Sequence, residues 1–167
     1  MGKNRHPKSI QYRTYIEFRD GYDIVVNDDD AGEAADLVCL KATDTEVLLT
    51  LIHCKFSKRD DAGARVGDLY EVCGQAQRSI TRKHLGIPKL VNHIKKREEA
   101  WNAAQSSRFL KGTLGDLQVI SKKARTLPVK FEVVIVQPGI KRDRVGHEML
   151  KLLGSTALFI KKTTEAD

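Results

Sequence analysis

The chain lacks several features that would each have pointed to a class of protein. No run of about 18 apolar residues occurs, so nothing reads as a membrane span. The three cysteines, Cys39, Cys54 and Cys73, are odd in number and show neither a CxxC pair nor Cys/His zinc spacing. They read as buried free thiols of a reducing compartment. Aromatic residues make up only 6%, which leaves no evident platform for stacking single-stranded bases. The triplet Asp28-Asp29-Asp30 lacks the later Gly and Glu of a calcium loop, so the expectation there is a solvated turn. Met1 to Lys8 is charged and has no apolar signal core. His6 stands where a myristoylation pattern needs Ser or Thr. These absences lead to the expectation of a cytoplasmic chain with no membrane partner.

What is present is a chain of 167 residues, long enough for one domain with a real core. The expected organisation is a basic tail over 1–8, one domain over 9–162 and a frayed tail over 163–167. Net charge is +7, unevenly placed. Residues 1–64 hold 9 Lys/Arg against 12 Asp/Glu, whereas residues 65–167 hold 20 against 10. An acidic region beside a basic one suits a metal site acting on a polyanion.

Alternation of apolar and polar residues predicts strands over Ile10–Phe18, Tyr22–Val26, Glu33–Ala42 and Glu46–Phe56, with a hairpin turn at Asp20-Gly21. This is an antiparallel meander. Three- and four-residue apolar spacing predicts helices over Arg65–Leu85 and Lys89–Leu110, separated by Gly86-Ile87-Pro88. A shorter helix is expected over 113–125 and a central strand over Val129–Val136. A helix over 142–153, C-capped by Gly154, and a last strand over Ala157–Ile160 follow. The fold class is therefore mixed α/β, one central sheet flanked by helices.

The chemistry concentrates around Asp36 and the stretch His53-Cys54-Lys55. On a strand, His53 and Lys55 share one face and Cys54 takes the other, so Cys54 is expected in the core. Phosphodiester hydrolysis needs a divalent metal. Hard cations favour carboxylate oxygen, and a nearby lysine can neutralise charge or position water. Asp36 fits the metal ligand and Lys55 the lysine. His53 can ligate Mn²⁺ or Zn²⁺ but suits Mg²⁺ poorly. Glu33, Asp30 or Glu17 is a further carboxylate candidate.

An acid on one strand, an x-x-Lys triplet ending the next and a glutamine-bearing helix after it resemble the PD-(D/E)xK nuclease superfamily. The resemblance covers residues 10–80, and the strand at 129–136 suits the same fold. It implies a restriction endonuclease-like domain cutting DNA with Mg²⁺ or Mn²⁺. By position, Asp36 matches the motif's Asp and Lys55 its Lys, while His53 stands where the superfamily has Asp or Glu. Related restriction enzymes tolerate Gln there. Gln75 and Gln77 fall on the following helix, Gln75 being the favoured accessory contact. The Tyr that often follows is replaced by Ser79. The resemblance also implies a link to helicase or ATPase modules of a larger repair or defence protein, and it allows a homodimer. The DNA-contact candidates are Lys58, Arg59, Arg78, Arg82, Lys83, Lys95, Lys96, Lys122 and Lys123. The competing expectations are an inactive nucleic-acid-binding or regulatory module of the same fold, and a protein-interaction domain.

Overall fold

The computed structural model describes residues 6–55, 65–141, 143 and 145–164. The elements in order are α1 (Ile10–Phe18), β1 (Ile24–Asn27), β2 (Leu37–Ala42), β3 (Val47–Cys54), α2 (Val66–Asn102), β4 (Phe109–Lys111), α3 (Leu114–Lys123), β5 (Val129–Val136) and α4 (His147–Thr164). The strands form one five-stranded sheet in the order β4-β1-β2-β3-β5. β1, β2 and β3 are a three-stranded antiparallel meander, and β5 joins β3 in parallel with Cys54 opposite Val136. Among the described residues no helix is long and apolar enough to cross a membrane.

Each face of the sheet carries its own core. On one, Val26, Val38, Leu40, Leu49 and Leu51 pack against Ile87, Leu90 and Ile94 of α2 and Leu117 and Ile120 of α3. On the other, Val25, Leu37, Cys39, Ile52 and Cys54 lie beneath Ile10, Tyr15 and Phe18 of α1. Cys54 is therefore a core residue, as its strand position implies, and burial pushes its thiol up to about 12. Sheet positions that alternate between two covered faces explain why β2 and β3 read as nearly continuous apolar runs.

The first segment is a helix, not the expected strand. Ile10–Phe18 has apolar residues that satisfy alternation, but Ile10, Tyr15 and Phe18 also fall on one helical face. Ser9 decides the outcome: its hydroxyl caps the helix by accepting from the Tyr12 N–H at 3.2 Å. Asp20-Gly21 lies in a single 3₁₀ turn rather than a hairpin.

The two expected central helices are joined through Gly86, whose φ of 75° and ψ of 169° break the helical path. A left-handed φ favours glycine, and Pro88 two residues later fits the first turn of a restarted helix. The second half ends at Asn102, earlier than expected, because buried Glu98 captures the chain beyond it. Its carboxylate accepts from Ser107 Oγ and from the Arg108 N–H, both at 2.7 Å. That contact leads into β4, an edge strand absent from the sequence expectation.

The expected strand at Ala157–Ile160 is also helical. α4 runs through Gly154, burying Met149, Thr156, Ile160 and Thr164 at helical spacing. Ile160 packs with Ala76 and Ile80 of α2 over Val133 and Ile135 of β5.

Candidate metal centre

Asp36 precedes β2 and is 5% exposed. Its Oδ2 accepts from the Cys54 N–H at the end of β3 at 2.8 Å, and its Oδ1 from Gln11 Nε2 of α1 at 3.2 Å. The carboxylate thus joins three elements at one end of the sheet. Burial raises its pKa, and the bonds from Cys54 and Gln11 offset part of that rise.

Two more carboxylates come from the loop between β1 and β2. One oxygen each of Asp29, Glu33 and Asp36 lies within 4.8 Å of the others. Oxygen ligands of Mg²⁺, Mn²⁺ or Ca²⁺ sit about 2.0–2.6 Å from the ion, hence up to about 5 Å from one another. The donor set is all hard oxygen, which suits such a cation. Glu33 records the cost of this crowding. Burial first, then Asp36, lifts its pKa to about 7. Each oxygen of Asp36 also has a second lone pair beyond its existing hydrogen bond.

Asp29 and Glu33 of the cluster line a cleft of about 540 Å³, while Asp36 is outside its lining. Asp29, Asp30, Gly32 and Glu33 form one side, and Arg78, Thr81 and Arg82 of α2 the other, with His53 and Gln75 completing the lining. His53 is 2% exposed, with Nε2 2.6 Å from Ser79 Oγ. Burial, and then the charge of Arg78, lowers its pKa to about 4, so it is neutral at physiological pH. Its Nδ1 and the Gln75 Oε1 are buried without a hydrogen-bond partner among the described residues. Both residues line the cleft.

Of the expected residues, the structure brings Glu33, His53, Gln75, Arg78 and Arg82 onto this cleft, and Asp36 into the acid cluster with Glu33. Lys55 follows β3 with its side chain only 14% exposed, and its Nζ is held by Glu71 of α2 at 2.5 Å. It stands outside the residues lining the cleft. His53 lines the cleft but is not one of the three clustered ligands. Glu17 is on the exposed side of α1, also outside that cluster, because the segment is helical. Gln77 turns away to Thr156 Oγ1 of α4 at 3.5 Å. Lys83 lines a separate pocket beside the Gly86 kink. Lys95 and Lys96 line a groove with Lys89, Asn92 and His93, and Lys122 and Lys123 are exposed at the end of α3. Lys58 and Arg59 lie outside the described residues.

The aspartate triplet is the main correction within the site. Asp28 is fully buried rather than solvated. Its carboxylate accepts from the Ala34 N–H at 2.7 Å and meets His93 Nε2 at 2.8 Å and Arg97 Nε at 2.6 Å. Arg97 also donates to the carbonyls of Asp28 and Ala31, and Arg108 to those of Asn27 and Asp29. Arg108 lies against the Trp101 ring, 4.1 Å from its centre. The available signal was the i, i+4 pair His93/Arg97, which places two cationic groups on one helical face.

Set against protein-family models, curated proteins and solved structures, the chain matches none.

Proposed function

We propose that this domain is a metal-dependent DNA endonuclease of the restriction endonuclease-like kind. The observation that carries the reading is the set of Asp29, Glu33 and Asp36 oxygens within 4.8 Å of one another, two of whose residues, Asp29 and Glu33, line one cleft with Arg78 and Arg82. Acids alone would repel a polyanion, and arginines alone would bind one without chemistry. The antiparallel β1–β3 meander, followed by α2 and by β5 parallel to β3, supports the fold side of the reading.

Asp36, Asp29 and Glu33 would hold Mg²⁺ or Mn²⁺, which when bound supplies Lewis-acid charge and acidifies a water. Arg78 and Arg82 contact phosphate oxygens through directional N–H donors. Neutral His53, anchored through Ser79, offers Nδ1 as a polar group to orient water or substrate, and Gln75 offers its amide beside it. Lys55 leaves β3 directly after Cys54, whose N–H holds Asp36. Its ammonium neutralises charge once a phosphate competes with Glu71.

The second reading is an inactive DNA-binding module, favoured by His53 in the acid position and by the Lys55–Glu71 pair. Supercoiled plasmid incubated with Mg²⁺ or Mn²⁺ separates the two. Nicking that is lost in Asp36→Asn and Lys55→Met supports the nuclease. Salt-sensitive DNA binding without cleavage under either metal supports the module. Absence of DNA binding at low salt removes both.

A further inference from the structure

The loop that presents Asp29 and Glu33 is gripped from both sides of the α2 kink. Before the kink, Arg82 Nη2 donates to the carbonyls of Gly32 and Glu33, each at 3.2 Å. After it, Arg97 Nη1 donates to the Ala31 carbonyl at 2.8 Å and Nη2 to the Asp28 carbonyl at 2.7 Å. Its Nε pairs with Asp28 Oδ1 at 2.6 Å. Gly86, with φ 75° and ψ 169°, sits between the two arginines. A straight helix of the intervening length would carry residues 82 and 97 about 22 Å apart along its axis. The break at Gly86 lets both reach one loop of six residues, Asp28 to Glu33.

We infer that Arg97 is a positioning residue for cation binding: its guanidinium fork, with Arg82 across the kink, holds the loop so that Asp29 and Glu33 converge on Asp36. The inference rests on the metal-site reading above. Its mechanism is geometric. The loop turns carbonyl oxygens to the arginines, and its Asp29 and Glu33 side chains line the cleft. Arg97 contacts Asp28, the one acid of the triplet that is fully buried and absent from the three-oxygen cluster. Glu33 adds a local brace, accepting from the Asp30 N–H at 3.3 Å while its own N–H donates to the Asp30 carbonyl at 3.0 Å.

Charge and positioning predict opposite signs. Removing a cation near a metal site should tighten cation binding if Coulomb attraction alone matters. Removing a brace should weaken it. Lysine separates the two further, because it keeps the charge and loses the planar fork.

The test is Mn²⁺ binding by the full chain, followed by calorimetry and by the electron paramagnetic resonance of free Mn²⁺. Wild type, Asp36→Asn, Arg97→Lys and Arg97→Ala are compared. Circular dichroism and melting without metal report folding separately. The expected result is at least tenfold weaker binding in both Arg97 variants, with lysine failing to rescue and the folded spectrum retained. Should either Arg97 variant fail to fold, Arg82→Lys tests the same grip from the other side, with a weakening of severalfold expected. Wild-type affinity or tighter in a folded Arg97 variant, while Asp36→Asn loses binding, overturns the positioning role and leaves the metal site standing. No Mn²⁺ binding by wild type overturns both.

Discussion

Asp36 accepts the Cys54 N–H at 2.8 Å, so the acid before β2 is fixed by the main chain of the residue preceding Lys55. The contact makes one carboxylate both a structural tie and a candidate ligand. Those roles are separable by substitution. Asp36→Ala leaves the Cys54 N–H without its acceptor and the Gln11 amide with only its longer contact to Asp29 Oδ2 at 3.5 Å, and should cost about 1–3 kcal/mol. Asp36→Asn keeps an acceptor oxygen and should cost less, yet it removes the charge that a cation needs. Urea denaturation beside Mn²⁺ titration checks the split: both variants lose binding, and alanine loses more stability.

Glu33 should make stability and metal affinity depend on pH in opposite ways. Its folded pKa of about 7 lies above the ordinary carboxylate value. Protonation therefore favours the folded state. That contribution is complete below about pH 4.5 and is lost as pH rises through about 7. Glu33→Gln should stabilise the metal-free protein at pH 8 by about 1–2 kcal/mol, allowing for screening by solvent. The gain should fade towards pH 4.5. A cation must displace the proton, so Mn²⁺ affinity of the wild type should rise up to about tenfold per pH unit until pH 7 and then level off.

His53 should remain neutral well into the acid range. Its folded pKa of about 4 is below that of a free imidazole, so the folded state favours the uncharged ring. The associated stability is present above about pH 6.5 and is lost as pH falls towards 4. An NMR titration should show no His53 shift between pH 8 and 5. A His53 midpoint near 6.5 would contradict the buried geometry.

Gly112 gives a test of the sheet edge. Its φ is 75°, and a Cβ there would sit 3.0 Å from both the Asp23 carbonyl oxygen and Ile24 Cγ1. Gly112→Ala combines left-handed strain with a close contact at the β4–α3 junction. A loss of about 1–3 kcal/mol is expected in chemical denaturation, with Gly154→Ala as the comparison. Gly154 meets nothing within 4 Å and lies inside α4, where alanine should stabilise by about 0.5–1 kcal/mol.

Lys55 and Glu71 form a pair that tests the proposed nuclease activity. Glu71 is 61% exposed and Lys55 only 14%. Glu71→Gln frees the lysine. Under the nuclease reading it should keep or raise plasmid nicking severalfold while Lys55→Met abolishes it, which a gel assay resolves. Loss of nicking in Glu71→Gln would assign Glu71 a role in the site that the present reading does not give it.

The parts of the fold legible in sequence were those where pattern and environment agree. β2, β3 and β5 are dense in Val, Leu and Ile between turn residues, and both halves of α2 carry a clear apolar stripe. Ile10–Phe18 satisfied two periods at once, and the Ser9 cap with burial beneath α1 settled it as helix. Ala157–Ile160 is too short to arbitrate by period, and packing on Ala76 and Ile80 made it helix. β4 has only three residues and exists because Glu98 turns the chain towards β1. Apart from the Ser9 cap, none of these outcomes is local.

The site divides along the same line. By itself the sequence determined the residue types: an acid expected on one strand, which the structure places just before β2, a His-x-Lys ending the next, an acidic loop and a basic helix. Alternation along β3 also placed His53 and Cys54 on opposite faces. Only the tertiary structure decided which acids converge. Asp29 and Glu33 meet Asp36 because arginines separated from them by about fifty residues or more hold their loop, and Asp28 serves that grip instead of the cleft. Spacing along a strand or helix carries the direction of a side chain. It carries nothing about which distant guanidinium will fold a loop's carbonyls inward and leave its carboxylates out.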